Sequence, residues 1–275
     1  MLKKLIKHEF NATYRTFVPI YLALAFLTGI ARVAMHFIDE YSPVFLQIAS
    51  GFGIIVVILG FMFVVLSPFI FLTMRFYRTT ATREAYLTFT IPADTKLILL
   101  AKLIVSYIWS AVTFVLWLFA MLFFLNGATE KNVNLISEML EDLFSQDNIS
   151  STLLYFAVLA TTLACSILSI FAAISLGQLV RDHRIIASFA FYAAIYTVQQ
   201  IVSVLTMLPY MIQTFTSTEE EVIYGEMTGS TSEFGFHLPD SDVPVFVISI
   251  LLSLAFSVAL YFLSNHMMKK KLNLL

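Results

Sequence analysis

Charged residues are scarce in this sequence: Asp, Glu, Lys and Arg make up 12% of its 275 residues, while 59% are hydrophobic. A typical soluble domain is about 25% charged, so this chain has more apolar surface than a soluble core can bury. Its single cysteine, Cys165, excludes an intrachain disulfide and a cysteine-based metal site. The net charge of −2 does not indicate a nucleic-acid partner.

Catalytic motifs are missing as well. The five histidines lie in separate segments, so no pair has the spacing of the zinc motif H-E-x-x-H. No G-x-x-x-x-G-K-[ST] loop is present to bind the phosphates of ATP. The long apolar stretches contain almost no acids or histidines that could act as acids, bases or ligands. The sequence therefore predicts a non-enzymatic chain that holds no metal or cofactor of its own.

Six apolar stretches remain, and each is long enough to cross a bilayer, which takes about 20 residues. Residues 1–16 precede them and carry apolar side chains at helical spacing among lysines, which predicts an amphipathic interfacial helix. The sequence thus predicts an all-α polytopic membrane protein that forms a single transmembrane domain over residues 1–275. The six predicted spans cover about 17–37, 51–76, 97–125, 152–180, 185–215 and 245–265.

The charges between the apolar stretches alternate in sign. Fourteen of the sixteen Lys and Arg lie in or beside the two terminal segments and the second and fourth gaps. Fourteen of the eighteen Asp and Glu lie in the other three gaps. Because cationic segments resist translocation, both termini are predicted to be cytoplasmic. Of the larger outside loops, 128–150 is predicted to contain a short amphipathic helix, and 216–243 to be irregular or partly ordered.

The inside gap at 77–96 combines charged ends with an apolar middle. A short helix around 82–90 would present Tyr86, Leu87 and Phe89 to a groove of a partner, and Pro92 would end it before the third span. The alternative is an ordinary interfacial loop whose aromatic side chains lie at headgroup level. Periodicity alone favours that alternative.

The run Arg83-Glu84-Ala85-Tyr86-Leu87-Thr88-Phe89-Thr90-Ile91-Pro92, followed by a leucine-rich span start with Lys102, resembles the membrane subunits of bacterial ABC type-2 exporters. The six spans with both ends inside and the amphipathic N-terminal helix match the same family. Two features depart from it: Ala85 stands where the family often has glycine, and residues 216–243 are too acidic for a re-entrant pair.

This resemblance implies a permease of the bacterial cytoplasmic membrane that forms a homodimer or a heterodimer with a similar subunit. A separate ABC ATP-binding subunit, carrying ATP and Mg²⁺, would dock on a cytoplasmic coupling helix between spans two and three. An amphipathic peptide, an antibiotic or a lipid-like molecule would be the substrate. The implied coupling positions are Arg83, Glu84, Tyr86, Leu87, Phe89 and Pro92.

Two other functions are compatible with the same sequence. One is a non-transporting immunity or sensory protein that binds its ligand through the acidic outer loops. The other is a small secondary transporter, which the lack of acids and histidines within the spans disfavours. A membrane enzyme ranks last, because the sequence offers no catalytic set.

Three polar residues within the predicted spans are further candidates for function. Arg32 is a cation in the outer half of the first span, where an unpaired charge costs about 3 kcal/mol. It is predicted to reach the outer headgroups or to pair with Asp39 or Glu40. Gln199 and Gln200 in the fifth span either face a pore or hydrogen-bond a neighbouring helix.

Overall fold

The computed structural model describes residues 1–36, 44–82, 94–128, 143, 149–180, 183–223 and 243–270. These residues form six long α-helices, and no strand occurs among them. All six helices are long and apolar enough to cross a membrane, which indicates a multi-pass membrane protein. The helices are α1 (Leu2–His36), α2 (Val44–Ala81), α3 (Thr95–Ala128), α4 (Ile149–Gly177), α5 (Arg184–Ile223) and α6 (Val243–Lys270).

The predicted interfacial helix and the first span form one continuous helix, α1. A single buried stripe runs along it through Phe17, Leu24 and Ala31, seven residues apart, and Ile6 packs on the same side. Residues 2–18 contain no glycine or proline, and Pro19, which lies within the predicted span, does not end the helix. The location of residues 2–16 at the headgroup layer stays a prediction.

Helix α5 ends later than the sequence analysis predicts. It runs through three consecutive glutamates to Ile223, so residues 216–223 are helical where the sequence predicts an irregular or partly ordered loop. Glutamate is a good helix former, and the first glycine after the span is Gly225. Most of the 128–150 loop and residues 224–242 lie outside the described part of the chain.

The helices divide into two compact units of three, within the region predicted as a single transmembrane domain. In the first unit, α1, α2 and α3 pack against one another. Their core contains Leu24 of α1 with Val57, Phe61 and Val64 of α2, and Phe61 meets Phe124 of α3 edge to face.

In the second unit, α4 packs on both α5 and α6 through small residues. Its buried face includes Ser169, Ala172, Ala173 and Ser175, and the Oγ atoms of Ser175 and Ser264 of α6 are 3.1 Å apart. Small side chains let membrane helices approach closely, which increases their van der Waals contact. Helix α5 instead exposes most of its large apolar side chains, as a lipid-facing helix does.

Helices α4 and α5 approach each other closely at Gly177. A Cβ atom added there would lie 2.8 Å from the Cα of Ser188 in α5, and backbone cannot move away as a flexible side chain can. We therefore expect Gly177→Ala to lower the free energy of unfolding by about 1–3 kcal/mol, the usual cost of overpacking. Unfolding in mixed detergent micelles, followed by circular dichroism, measures it.

Gly53→Ala is the matched control, because among the described residues nothing beyond the adjacent backbone of α2 itself lies within 4 Å of its added Cβ. It should stabilise α2 slightly, since alanine favours helix by about 1 kcal/mol over glycine. Equal effects of the two substitutions would contradict the close approach at Gly177.

Candidate functional site

Three charged side chains from three helices meet in the first unit. Oε2 of Glu9 in α1 accepts hydrogen bonds from Arg75 of α2, at 2.9 Å from Nε and 2.7 Å from Nη2. Oε1 of Glu9 accepts one from Nζ of Lys102 in α3 at 2.7 Å. The same Nζ donates to Oγ1 of Thr79 at 2.9 Å. We call Glu9, Arg75, Thr79 and Lys102 the ionic cluster.

The ionic cluster is largely shielded from solvent. The side chain of Lys102 is 5% exposed, that of Glu9 15% and that of Arg75 28%. A buried ammonium group is costly unless an anion and hydrogen-bond acceptors compensate it, and here Glu9 and Thr79 do so. Since two cations share one carboxylate, the loss of Glu9 would leave both without an anionic partner among the described residues.

Helical spacing places Arg75 and Thr79 on the same side of α2, the side that faces Lys102 of α3. Arg75 and Thr79 lie one turn apart on α2, and the Thr79 hydroxyl donates to the Arg75 carbonyl at 2.9 Å. That bond uses the hydroxyl hydrogen of Thr79, so the lone pairs of its Oγ1 can accept a hydrogen bond from Lys102. Arg75 and Thr79 are in the last two turns of α2, and Lys102 is in the second turn after Thr95 begins α3. The cluster therefore ties α1 to both helix ends that flank residues 83–93.

An aromatic stack continues from the cluster along α1 and α3. The indole of Trp109 lies between the rings of Phe10 and Phe17, with centroid distances of 4.8 and 4.7 Å. Its Nε1 donates to Oγ1 of Thr13 at 2.8 Å. Since Trp109 follows Lys102 by seven residues and Thr13 follows Glu9 by four, the stack and the cluster share one helix–helix contact.

A further polar contact between α1 and α3 is at Tyr21. Its hydroxyl lies 2.8 Å from Oγ1 of Thr113, which itself donates to the carbonyl of Trp109. Hydrogen bonds of this kind, made between membrane helices, fix both their rotation and their register. Together with the ionic cluster they hold α1 and α3 in one relative position.

The coupling residues predicted from the sequence, namely Arg83, Glu84, Tyr86, Leu87, Phe89 and Pro92, lie outside the described residues. The structure therefore describes only the chain on either side of them, up to Thr82 and from Asp94 onward. Their role stays a prediction.

Arg32 lies against α3 near the opposite end of the first unit. Its Nη1 donates to the carbonyl of Phe123 at 3.4 Å, and its Cζ is 5.5 Å from the centroid of the Phe123 ring. A guanidinium at that distance from an aromatic face gains a cation–π attraction. Asp39 and Glu40, its predicted partners, lie outside the described residues.

Gln199 and Gln200 have different surroundings. Nε2 of Gln199 donates to Sγ of Cys165 at 3.2 Å and to Oγ of Ser169 at 3.0 Å, so its amide joins α5 to α4. Gln200 is exposed on another face of α5. Of the two roles considered for Gln199, this geometry favours helix–helix hydrogen bonding.

We expect Gln199→Leu to destabilise the chain by about 0.6 kcal/mol, the average measured for hydrogen bonds between membrane helices. Gln200→Leu, the neighbouring control, should leave stability unchanged or raise it. The measurement is detergent unfolding together with the alkylation rate of Cys165, which is buried in the native chain. Faster alkylation in Gln200→Leu than in Gln199→Leu would contradict this assignment.

Sequence reasoning missed Glu9 and Trp109, and it used Lys102 only as a basic charge of the inner segments and as part of the family resemblance. The available signal was Lys102 itself, a cation within the predicted span 97–125, since such residues are functional candidates by default. Its partner could not be read from spacing, because Glu9 precedes it by 93 residues.

Comparisons with known proteins give no matching family model, no matching curated protein and no matching solved structure. Within the described residues, no group of three or more His, Cys, Asp or Glu side chains is placed to hold a metal ion. The ionic cluster is therefore the candidate site, and it is a site of contact between helices.

Proposed function

We propose that this chain is the transmembrane permease subunit of an ATP-driven ABC exporter. A separate ATP-binding subunit, which holds ATP and Mg²⁺, docks on residues 77–96, and two permease subunits form the pathway as a homodimer or a heterodimer. An amphipathic peptide, antibiotic or lipid-like substrate suits the apolar helices. The sequence of residues 83–92 and the six long apolar helices support this proposal.

The observation that carries the proposal is the position of the ionic cluster. A docking segment transmits force only if the helices at its two ends move together rather than separately. Lys102 hydrogen-bonds Thr79, so the end of α2 is joined to the start of α3, and Glu9 joins both to α1. A pull on residues 83–93 would thus move three helices as a group. This is the connection that a coupling segment requires.

The test separates docking from insertion. The tagged chain, purified from its native membranes in mild detergent, should carry an ATP-binding-cassette subunit and hydrolyse ATP. Leu87→Asp should abolish both, because a carboxylate cannot enter an apolar groove without a large desolvation cost. Leu87→Met, which keeps an apolar side chain of similar volume, is the matched control and should retain both.

Two outcomes would overturn the proposal. If Leu87→Asp retains the ATP-binding subunit and ATP hydrolysis, docking does not use this segment. If the unmodified chain carries no ATP-binding subunit, an immunity or sensory protein, or a secondary transporter, is the better description. A normal membrane level of each variant, measured by blotting, shows that insertion is intact.

A further inference from the structure

A groove of about 510 Å³ opens on the surface of the first unit, beside the aromatic stack. Five of its lining residues lie on one face of α1 across slightly more than two turns, and the sixth belongs to α3. Its volume falls within the range of about 300–1,000 Å³ that is typical of small-molecule sites. The groove is lined by Phe10, Asn11, Tyr14, Arg15, Val18 and Trp109.

The groove has a polar part, formed by Arg15 and Asn11, and an apolar part that includes Val18. Arg15 and Asn11 provide a guanidinium and an amide, and both are exposed. Within the described residues, the Arg15 side chain has no ion pair or hydrogen bond. The nearest acid in sequence, Glu9, is already bound by Arg75 and Lys102. An arginine in this situation is free to form a bidentate hydrogen-bonded pair with an anion such as a phosphate.

The apolar part of the groove leads into the membrane-spanning part of α1. Val18 lies one turn beyond Tyr14, and Leu22 continues the same exposed face one turn further. Arg15 comes two residues before the predicted span begins at residue 17, which is the level where cationic and aromatic side chains meet lipid headgroups. A ligand with a phosphate head and an aliphatic chain matches both parts.

We propose that this groove binds one anionic phospholipid, with its phosphate on Arg15 and Asn11 and an acyl chain along Val18 and Leu22. The contact between the acyl chain and Val18 and Leu22 distinguishes a lipid from free phosphate, which would occupy only the polar part of the groove. Basic residues at Lys3, Lys4 and Lys7 precede the groove on α1 and add attraction for an anionic headgroup. The proposal holds whether or not the chain is an exporter subunit.

Tryptophan fluorescence can locate the lipid, because the chain has only two tryptophans. Trp117→Phe leaves Trp109, which lines the groove, as the sole tryptophan, and excitation at the red edge of indole absorption avoids the tyrosines. This full-length variant is reconstituted in phosphatidylcholine vesicles that contain increasing fractions of phosphatidylglycerol with brominated chains. Bromine quenches an indole that it contacts. We expect brominated phosphatidylglycerol to quench Trp109 at a mole fraction roughly five- to tenfold lower than brominated phosphatidylcholine does.

Arg15→Gln in the same background should remove this preference. Lys4→Gln is the matched control: it removes one charge from the same helix, outside the groove, so it measures the diffuse attraction and should lower the preference by a clearly smaller factor than Arg15→Gln does. Arg15 is exposed, so its replacement leaves the core intact.

Three results would overturn the proposal. The first is equal quenching by the two brominated lipids in the unmodified background. The second is an equal loss of preference in Arg15→Gln and Lys4→Gln, which would show diffuse attraction to the surface. The third is relief of quenching by millimolar glycerol phosphate, which would show a site for a soluble anion.

Discussion

Replacing Glu9 by glutamine should lower the free energy of unfolding by about 3 kcal/mol, the lower end of the range for breaking a buried ion pair. Glutamine has nearly the same shape and can still accept hydrogen bonds, so the effect isolates the charge. Lys102, with a side chain only 5% exposed, and Arg75 would then lack their shared anion. The measurement is unfolding of the full chain in mixed detergent micelles, followed by circular dichroism.

Lys102→Met is the informative comparison. It removes one cation but leaves Glu9 paired with Arg75, so it should cost much less than Glu9→Gln. In the double variant, the loss of Lys102 should offset part of the cost of losing Glu9, which a double-mutant cycle measures as a coupling energy. Additive effects of the two substitutions would show that the two side chains do not interact.

Replacing Trp109 by alanine should destabilise the chain by about 3–5 kcal/mol, the range for truncating a large buried aromatic side chain. The substitution removes two ring stacks, with Phe10 and Phe17, and leaves a cavity between α1 and α3. It also removes the hydrogen bond to Thr13. The same unfolding measurement applies.

A second substitution at Trp109 separates the hydrogen bond from the packing, and a substitution at Trp117 serves as the control. Trp109→Phe keeps a ring in the stack but loses the hydrogen bond, so we expect it to cost about 1 kcal/mol for the bond, in addition to a smaller packing loss. Trp117→Phe serves as the control, because Trp117 Nε1 is buried and has no hydrogen-bond partner in the described part of the chain. A Trp117→Phe variant as unstable as Trp109→Ala would contradict the role of the stack.

The sequence suffices to predict the helices, because crossing a bilayer requires a long apolar run in each case. Their ends are harder to predict. Thr95 begins α3 where Asp94 accepts from the amide of Lys96, a local polar contact that hydropathy does not reveal. The three glutamates at the end of α5 are polar enough to suggest a loop, yet their helix propensity extends the helix.

The candidate site was much less predictable than the helices. Glu9 lies among lysines and is indistinguishable, from spacing alone, from an ordinary solvated acid. Its importance comes from packing against Arg75 and Lys102, which are 66 and 93 residues away. Trp109 is likewise one apolar residue in an apolar helix until the rings of Phe10 and Phe17 enclose it.

Helix α1 is attached to α3 near both of its ends, through Glu9 with Lys102 and through Arg32 with Phe123. Twenty-three residues separate Glu9 from Arg32 in the sequence, which is about 35 Å of helix, close to the thickness of a bilayer's hydrocarbon core. Two helices that are joined near both ends move as one rigid pair. If that pair tilts by about 10° about one end, its other end shifts by about 6 Å over such a length. A small rotation at one membrane surface thus becomes a displacement at the other that is wide enough to admit a side chain or a water molecule.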